Sequence, residues 1–175
     1  MSAFVSVIVD DSQLQAALQR LEHAGTDLAP AMRKITQAMH KVTEDNFAAE
    51  GQPKWQPLSD VTKHLRLGGK QAYKKNGQLT AAAQRRQEGG FRILQHTGSL
   101  ASDISTDYDA HSAVVGSGKE YAAIHQFGGN AGRGRKVAIP ARPYLPITPN
   151  KDLQPEARQE VLDTVLRHLK NAAGI

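Results

Sequence analysis

Cysteine is absent from the 175 residues, and with it go disulfide scaffolds, thiolate zinc sites, iron–sulfur clusters and thiol catalysis. Stability has to come from burial and from association between copies, and the composition suits a reducing cytoplasm. Aromatic residues are scarce, one Trp, four Tyr and four Phe, so the interior is filled mainly by Leu, Val, Ile, Ala and Met. No apolar run approaches the roughly 18 residues of a membrane helix. Residues 4–9 are apolar but come without a basic leader or a small-residue cleavage site, so neither membrane anchoring nor classical secretion is expected. The length suits one domain over residues 1–175, with a radius of gyration of about 16 Å.

Acidic residues are missing locally as well. Residues 51–95 hold nine basic side chains against Asp60 and Glu88, and residues 121–151 hold five with no acid. The net charge of +5 therefore conceals an acidic body that carries two basic, Gly-rich segments. Lys63, Arg66, Lys70, Lys74 and Lys75 in the first, and Arg133, Arg135 and Lys136 in the second, are candidates to face DNA phosphates or the acidic body of a neighbouring copy. Trp55, Tyr73 and Phe91 are the only aromatics of the first segment, too few for a surface on which bases stack.

Apolar periodicity supplies the elements. Residues 4–9 read as a strand, followed by a short helix through Leu14, Leu18 and Leu21 that stops near Gly25. Asp27 is placed to cap a second helix with Pro30 in its first turn. Leu28, Met32, Ile35, Met39 and Val42 form its apolar stripe to about Ala49. Residues 51–90 read as a long basic arm with short helices near 59–67 and 79–87; excursions of this length inside a domain are usually functional. A capped turn at Thr97-Gly98-Ser99-Leu100 leads to Ile104, a short buried strand covers 113–116, a helix 121–127, a loop the stretch to Lys136, and a strand 137–139. Pro140, Pro143, Pro146 and Pro149 impose an extended path outside any central strand. A last helix opens at Asn150 or Asp152 and carries Val161, Leu162, Val165, Leu166 and Leu169. The predicted class is α+β, helices on a small, largely antiparallel sheet, plus the arm.

Motifs for catalysis fail on spacing. Gly118-Lys119 follows an apolar run, yet a phosphate loop needs glycine where Ala113 stands and a hydroxyl where Glu120 stands. The Gly-rich stretch 128–134 follows no βαβ unit. No two of the seven histidines have the i, i+4 spacing of a helical metal pair, and no serine sits in a G-x-S-x-G elbow. His125, between Tyr121 and Phe127, reads as a hydrogen-bonded structural histidine. No enzyme, metal or cofactor is expected.

Several runs nevertheless occur in a familiar order. They are Trp55-Gln56-Pro57-Leu58, Ile93-Leu94-Gln95-His96-Thr97-Gly98-Ser99-Leu100, Val115-Gly116, Tyr121-Ala122-Ala123-Ile124-His125-Gln126-Phe127-Gly128 and Ile139-Pro140-Ala141-Arg142-Pro143-Tyr144-Leu145. In these the chain resembles the phage virion morphogenesis family, which includes Mu-like G proteins and the tail completion proteins of contractile-tailed phages. The resemblance implies a non-enzymatic structural protein of the virion, at the head–tail junction or tail end, assembled in the host cytoplasm. It implies a homo-oligomer, a hexameric ring, that meets other neck and tail proteins such as the tail tube and head connector, and the DNA in the channel. Trp55, His125, Gln126, Phe127, Arg142 and Tyr144 are the expected assembly interface, Arg142 because its proline-framed backbone loses little entropy on docking. The alternative from another class is a basic nucleic-acid-binding factor that assists head DNA packaging without remaining in the virion.

Overall fold

The computed structural model describes residues 12–148 and 150–174. The strand expected at residues 4–9 lies outside them. Helix α1 spans Ser12–Thr26 and α2 spans Ala29–Ala49. The Asp27 carboxylate accepts from the Ala29 N–H at 3.1 Å, and Pro30 sits in the first turn of α2, where no N–H is needed.

The apolar stripe of α2 is only part of its buried face. Ala31, Ile35, Thr36, Thr43, Asn46 and Phe47 are buried, while Met32, Met39 and Val42 are half-buried. Threonine is tolerated there because its hydroxyl bonds one turn back along the same helix. Thr36 donates to the Met32 carbonyl and Thr43 to that of Met39, both at 2.8 Å. One side of α2 packs on α6 (Pro155–Ala173), which also carries α1. Against α2 also packs the antiparallel hairpin β1 (Ile104–Tyr108) and β2 (Ala113–Ser117), with Ile104 opposite Ser117 and Tyr108 opposite Ala113. The Asp109 carboxylate closes its turn by accepting from the His111 and Ser112 N–H groups at 2.7 Å.

The class is α+β as expected, with the strands divided between two antiparallel ribbons. After the short helix α5 (Ala122–Phe127), β3 (Gly129–Ala131) pairs with β4 (Val137–Ile139). So part of the expected loop is a strand, and Val114 in β2, expected buried, is exposed among the described residues. The arm contains helices α3 (Asp60–Leu67) and α4 (Ala81–Glu88), whose N-termini are capped by the Ser59 and Thr80 hydroxyls. It has a small core of its own, Leu67, Ala72 and Ala83 with Leu79 and Phe91 against them.

The main core is Phe47, Trp55, Ile93, Leu100, Ala122 and Tyr144. The Phe47 ring meets Trp55 edge-on, centroids 5.9 Å apart, and lies 5.3 Å from Tyr144. Gly51 lies beneath the indole: its φ is +97°, and a Cβ there would collide with the Trp55 ring.

Asn46 joins three parts of this frame. Its Nδ2 donates to the Tyr144 carbonyl at 3.1 Å and to the Gln154 side-chain oxygen at 3.0 Å, all buried. Asn46→Ala leaves both acceptors dry and unpaired, and a loss of about 2–4 kcal/mol is expected in urea unfolding. A change within the error of the extrapolation would mean that Asn46 does not hold the frame.

Candidate functional site

Residues 139–147 run extended through the middle of the molecule. Pro140, Pro143 and Pro146 cannot donate, and beyond β4 the path has no ladder of its own. Its polar groups are satisfied by side chains and single backbone contacts from four directions. The Gln126 side-chain oxygen accepts from the Tyr144 and Leu145 N–H groups, both at 3.0 Å. The Trp55 indole N–H donates to the Pro143 carbonyl at 2.9 Å, and the Arg142 N–H donates to the His125 carbonyl at 2.7 Å. The Gln154 N–H donates to the Pro146 carbonyl at 3.0 Å, and the Tyr144 hydroxyl to that of Ala122 at 3.4 Å. Gly128 lets α5 come this close: its φ is +75°, and a Cβ would stand 2.9 Å from the Ala141 nitrogen.

Arg142 ties the segment to the root of the arm. Its Nε and Nη2 both donate to the Gln56 carbonyl at 3.1 Å, and Nη2 also reaches the Pro57 carbonyl at 3.4 Å. Burial first, and the nearby Arg66 second, lower the pKa of its guanidinium. The proline frame that suggested a docking arginine thus holds the side chain inward, 7% exposed. Trp55, Gln126 and Tyr144, also expected at an interface between copies, are likewise buried in the chain itself. Each makes hydrogen bonds within its own chain, and of the six only Phe127 and, in part, His125 remain open.

His125 lines a groove of about 570 Å³ between the arm root and the β3–β4 ribbon. Pro57, Leu58, Leu94, Leu100, Ile139 and Pro140 supply apolar lining; Arg66, His96, His125 and Arg142 supply the basic groups, and no carboxylate lines it. Arg66 donates from Nη1 to the Arg92 carbonyl at 2.9 Å, and burial lowers its pKa. The edge of the Tyr121 ring faces His125 at 5.9 Å. The His125 Nδ1 is buried without a hydrogen-bond partner among the described residues, so its structural contact is made by its carbonyl rather than by the ring. Tyr121 and Val137, which also line the groove, are exposed. Such a concavity is suited to receive an extended segment.

The remaining basic candidates occupy two elements. Lys63 pairs with Asp60 at 3.2 Å, and Lys70, Lys74 and Lys75 are exposed on the arm. Arg133, Arg135 and Lys136 are exposed on the turn between β3 and β4. Among the described residues there is no group of three His, Asp or Glu that could hold a metal, and no helix long and apolar enough to cross a membrane. Asn46 and Gln154 escaped sequence reasoning, since a polar amide carries no local signal that a partner waits for it in the interior.

The sequence pattern of the phage virion morphogenesis family matches residues 9–170. The chain belongs to that family. It is 36% identical over 149 residues to the Mu-like prophage FluMu G protein 2 of Haemophilus influenzae, covering 85% of this chain and 88% of the relative. It is 31% identical over 180 aligned positions to the putative capsid assembly protein G of Escherichia phage Mu, covering 98% of each. No solved structure matches. Membership gives the chain a role in phage assembly, and the motifs that carry the resemblance are largely those that hold residues 139–147.

Two measurements test this reading of the site. Arg142→Ala is expected to destabilise the monomer by about 1.5–3 kcal/mol, the range for hydrogen bonds to a charged group, and Arg142→Lys to recover only part, since an ammonium lacks the fork. Unchanged stability of the Ala variant would return Arg142 to an intersubunit role. Burial, and behind it the Arg142 charge, holds the His125 imidazole below its ordinary 6.5. The unfolded chain then takes up a proton that the folded chain refuses, so stability declines as pH falls through 6.5 toward the folded value. His125→Gln should flatten the decline between pH 7 and pH 5 in denaturant titrations; an equal slope in both proteins would show that another group causes it.

Proposed function

We propose that this protein is a non-catalytic structural subunit of the phage neck or tail end, which completes the tail or joins it to the filled head as a homo-oligomeric, hexameric ring. One observation carries the reading: the shared motifs are engaged in a rigid frame that fixes the arm on the body, not in a constellation of nucleophile, base and oxyanion donors. The frame leaves docking features outside it: the groove with exposed Tyr121 and Val137 in its lining, the exposed Phe127 ring, and the exposed basic side chains of the arm and of the β3–β4 turn. The name of the Mu relative, a putative capsid assembly protein, supports work during virion assembly. In a ring, Arg133, Arg135 and Lys136 would meet DNA in the channel, and neighbouring neck and tail proteins would occupy the groove.

Immunogold electron microscopy of purified virions, with antibody against the recombinant protein, tests the location. Label at the head–tail junction or tail end is expected. Virions without label, under conditions that expose the neck, would leave the packaging factor as the better account. That account is favoured by the exposed arginines and lysines, and it requires salt-sensitive duplex binding by the free protein.

A further inference from the structure

Helix α3 turns an apolar face to solvent. Val61 and Leu65, one turn apart, are 70% and 66% exposed although the helix packs on α4. Beside this face the Tyr73 ring, itself 41% exposed, stacks on His64 at 5.6 Å. Lys74 and Lys75 follow Tyr73 directly, and both are exposed. A helix face with two apolar knobs and a lysine margin is left uncovered by the described residues of its own chain.

The body carries a surface of opposite character. Between α2 and α6 lies a groove of about 570 Å³. Ala38, Val42 and Pro155 give it an apolar floor, and Asp45, Glu156 and Glu160 give it an acidic margin. Lys41 also lines it but is tied to Asp45 at 2.7 Å. That hydrogen bond first, then the charges of Asp45, Glu160 and Glu44, raise the Lys41 ammonium above its ordinary range. Glu156 and Glu160 form no ion pair among the described residues, so the negative charge of the groove exceeds what Lys41 supplies.

We propose that the Val61–Leu65 face of one copy docks in the α2–α6 groove of a second copy, with Lys74 and Lys75 against Glu156 and Glu160. The lengths agree: Val61 and Leu65 are about 6 Å apart along their helix, and residues 38–45 of α2 extend for about 10 Å. Charge agrees as well, with an unpaired acidic margin opposite a lysine margin, and the apolar knobs opposite an apolar floor. The donor face and the acceptor groove are different surfaces, so the contact is heterologous and each copy can give and receive, as a ring requires. The inference rests on the homo-oligomeric reading above and names its contact.

Because the chain has no cysteine, a disulfide can report the contact without background. Leu65→Cys is placed in one batch of full-length protein and Gln159→Cys, which lines the groove, in another. On mixing under mild oxidation, disulfide-linked pairs of the two variants are expected to exceed those formed when Val114→Cys, on the exposed β2 surface, replaces Leu65→Cys. Glu156→Lys with Glu160→Lys should slow the linkage about tenfold, and Lys74→Glu with Lys75→Glu on the partner batch should restore it. All these side chains are exposed or line an open groove, and circular dichroism melts check that each variant folds. No excess over the Val114→Cys control, or no rescue by the second charge reversal, overturns the proposal. Sedimentation of the wild-type chain separates the two readings. Self-association without the Leu65–Gln159 link rejects this contact and leaves the ring. A link found only in particles no larger than dimers supports the contact and rejects the ring.

Discussion

A backbone path that leaves one strand pairing before it meets the next must find a hydrogen bond for each buried polar group elsewhere, and residues 140–146, between Ile139 in β4 and the Ile147–Leu153 bridge, impose that requirement on the whole molecule. Three prolines remove donors and stiffen the path, and the remaining groups are met by Trp55, Gln126, Asn46 and Gln154. Each comes from a different stretch: the arm root, α5, α2 and the start of α6. The segment therefore ties the arm root and α5 to α2 and α6, which pack on each other directly. The aromatic trio Phe47, Trp55 and Tyr144 packs around the same path, which is how a chain so poor in aromatics builds a defined core.

The same segment explains why the arm is held where it is. Arg142 reaches across to the Gln56 and Pro57 carbonyls, so the arm root is fixed by a buried cation that accepts no carboxylate partner and needs none. Gathering Arg66, His96, His125 and Arg142 around one groove concentrates positive charge where apolar walls exclude part of the water. The lowered pKa values of His125 and both arginines are consequences of that burial. Acidic groups gather on the opposite kind of surface, between α2 and α6. Charge segregation along the chain thus becomes segregation in space.

Much of the helical frame was legible beforehand. The α2 stripe ends at Ala49 as expected, Pro30 falls in its first turn and the two arm helices lie between glycines, whereas the last helix opens at Pro155 behind Gln154 and not at Asn150 or Asp152. Less legible was which face each helix buries. The face of α2 is completed by Thr36, Thr43 and Asn46 rather than by methionines, because the two hydroxyls and the Asn46 Nδ2 find partners inside. In α6, Ala157 and Thr164 are buried while Leu162 and Leu166 are exposed. Hydropathy ranks side chains by transfer from water and does not register whether a polar group has a partner waiting. The short ribbon strand Gly129–Ala131 was hidden for a related reason, since its pairing with Val137–Ile139 depends on a neighbour and not on its own residues.

By itself the sequence determined the class of fold, the order of the helices, the alternation of basic and acidic stretches and, through a handful of motifs, the family. Those properties are local or compositional, and spacing along the chain suffices to express them. Tertiary structure alone decided that Trp55, Gln126, Arg142 and Tyr144 face inward and that His125 carries an unpartnered ring nitrogen. It also decided that the open surfaces are Phe127, the Val61–Leu65 face and the α2–α6 groove. A motif records that a residue is needed, but whether its hydrogen bonds close within one chain or across two depends on acceptors more than 80 residues away, as for Arg142 and Gln56.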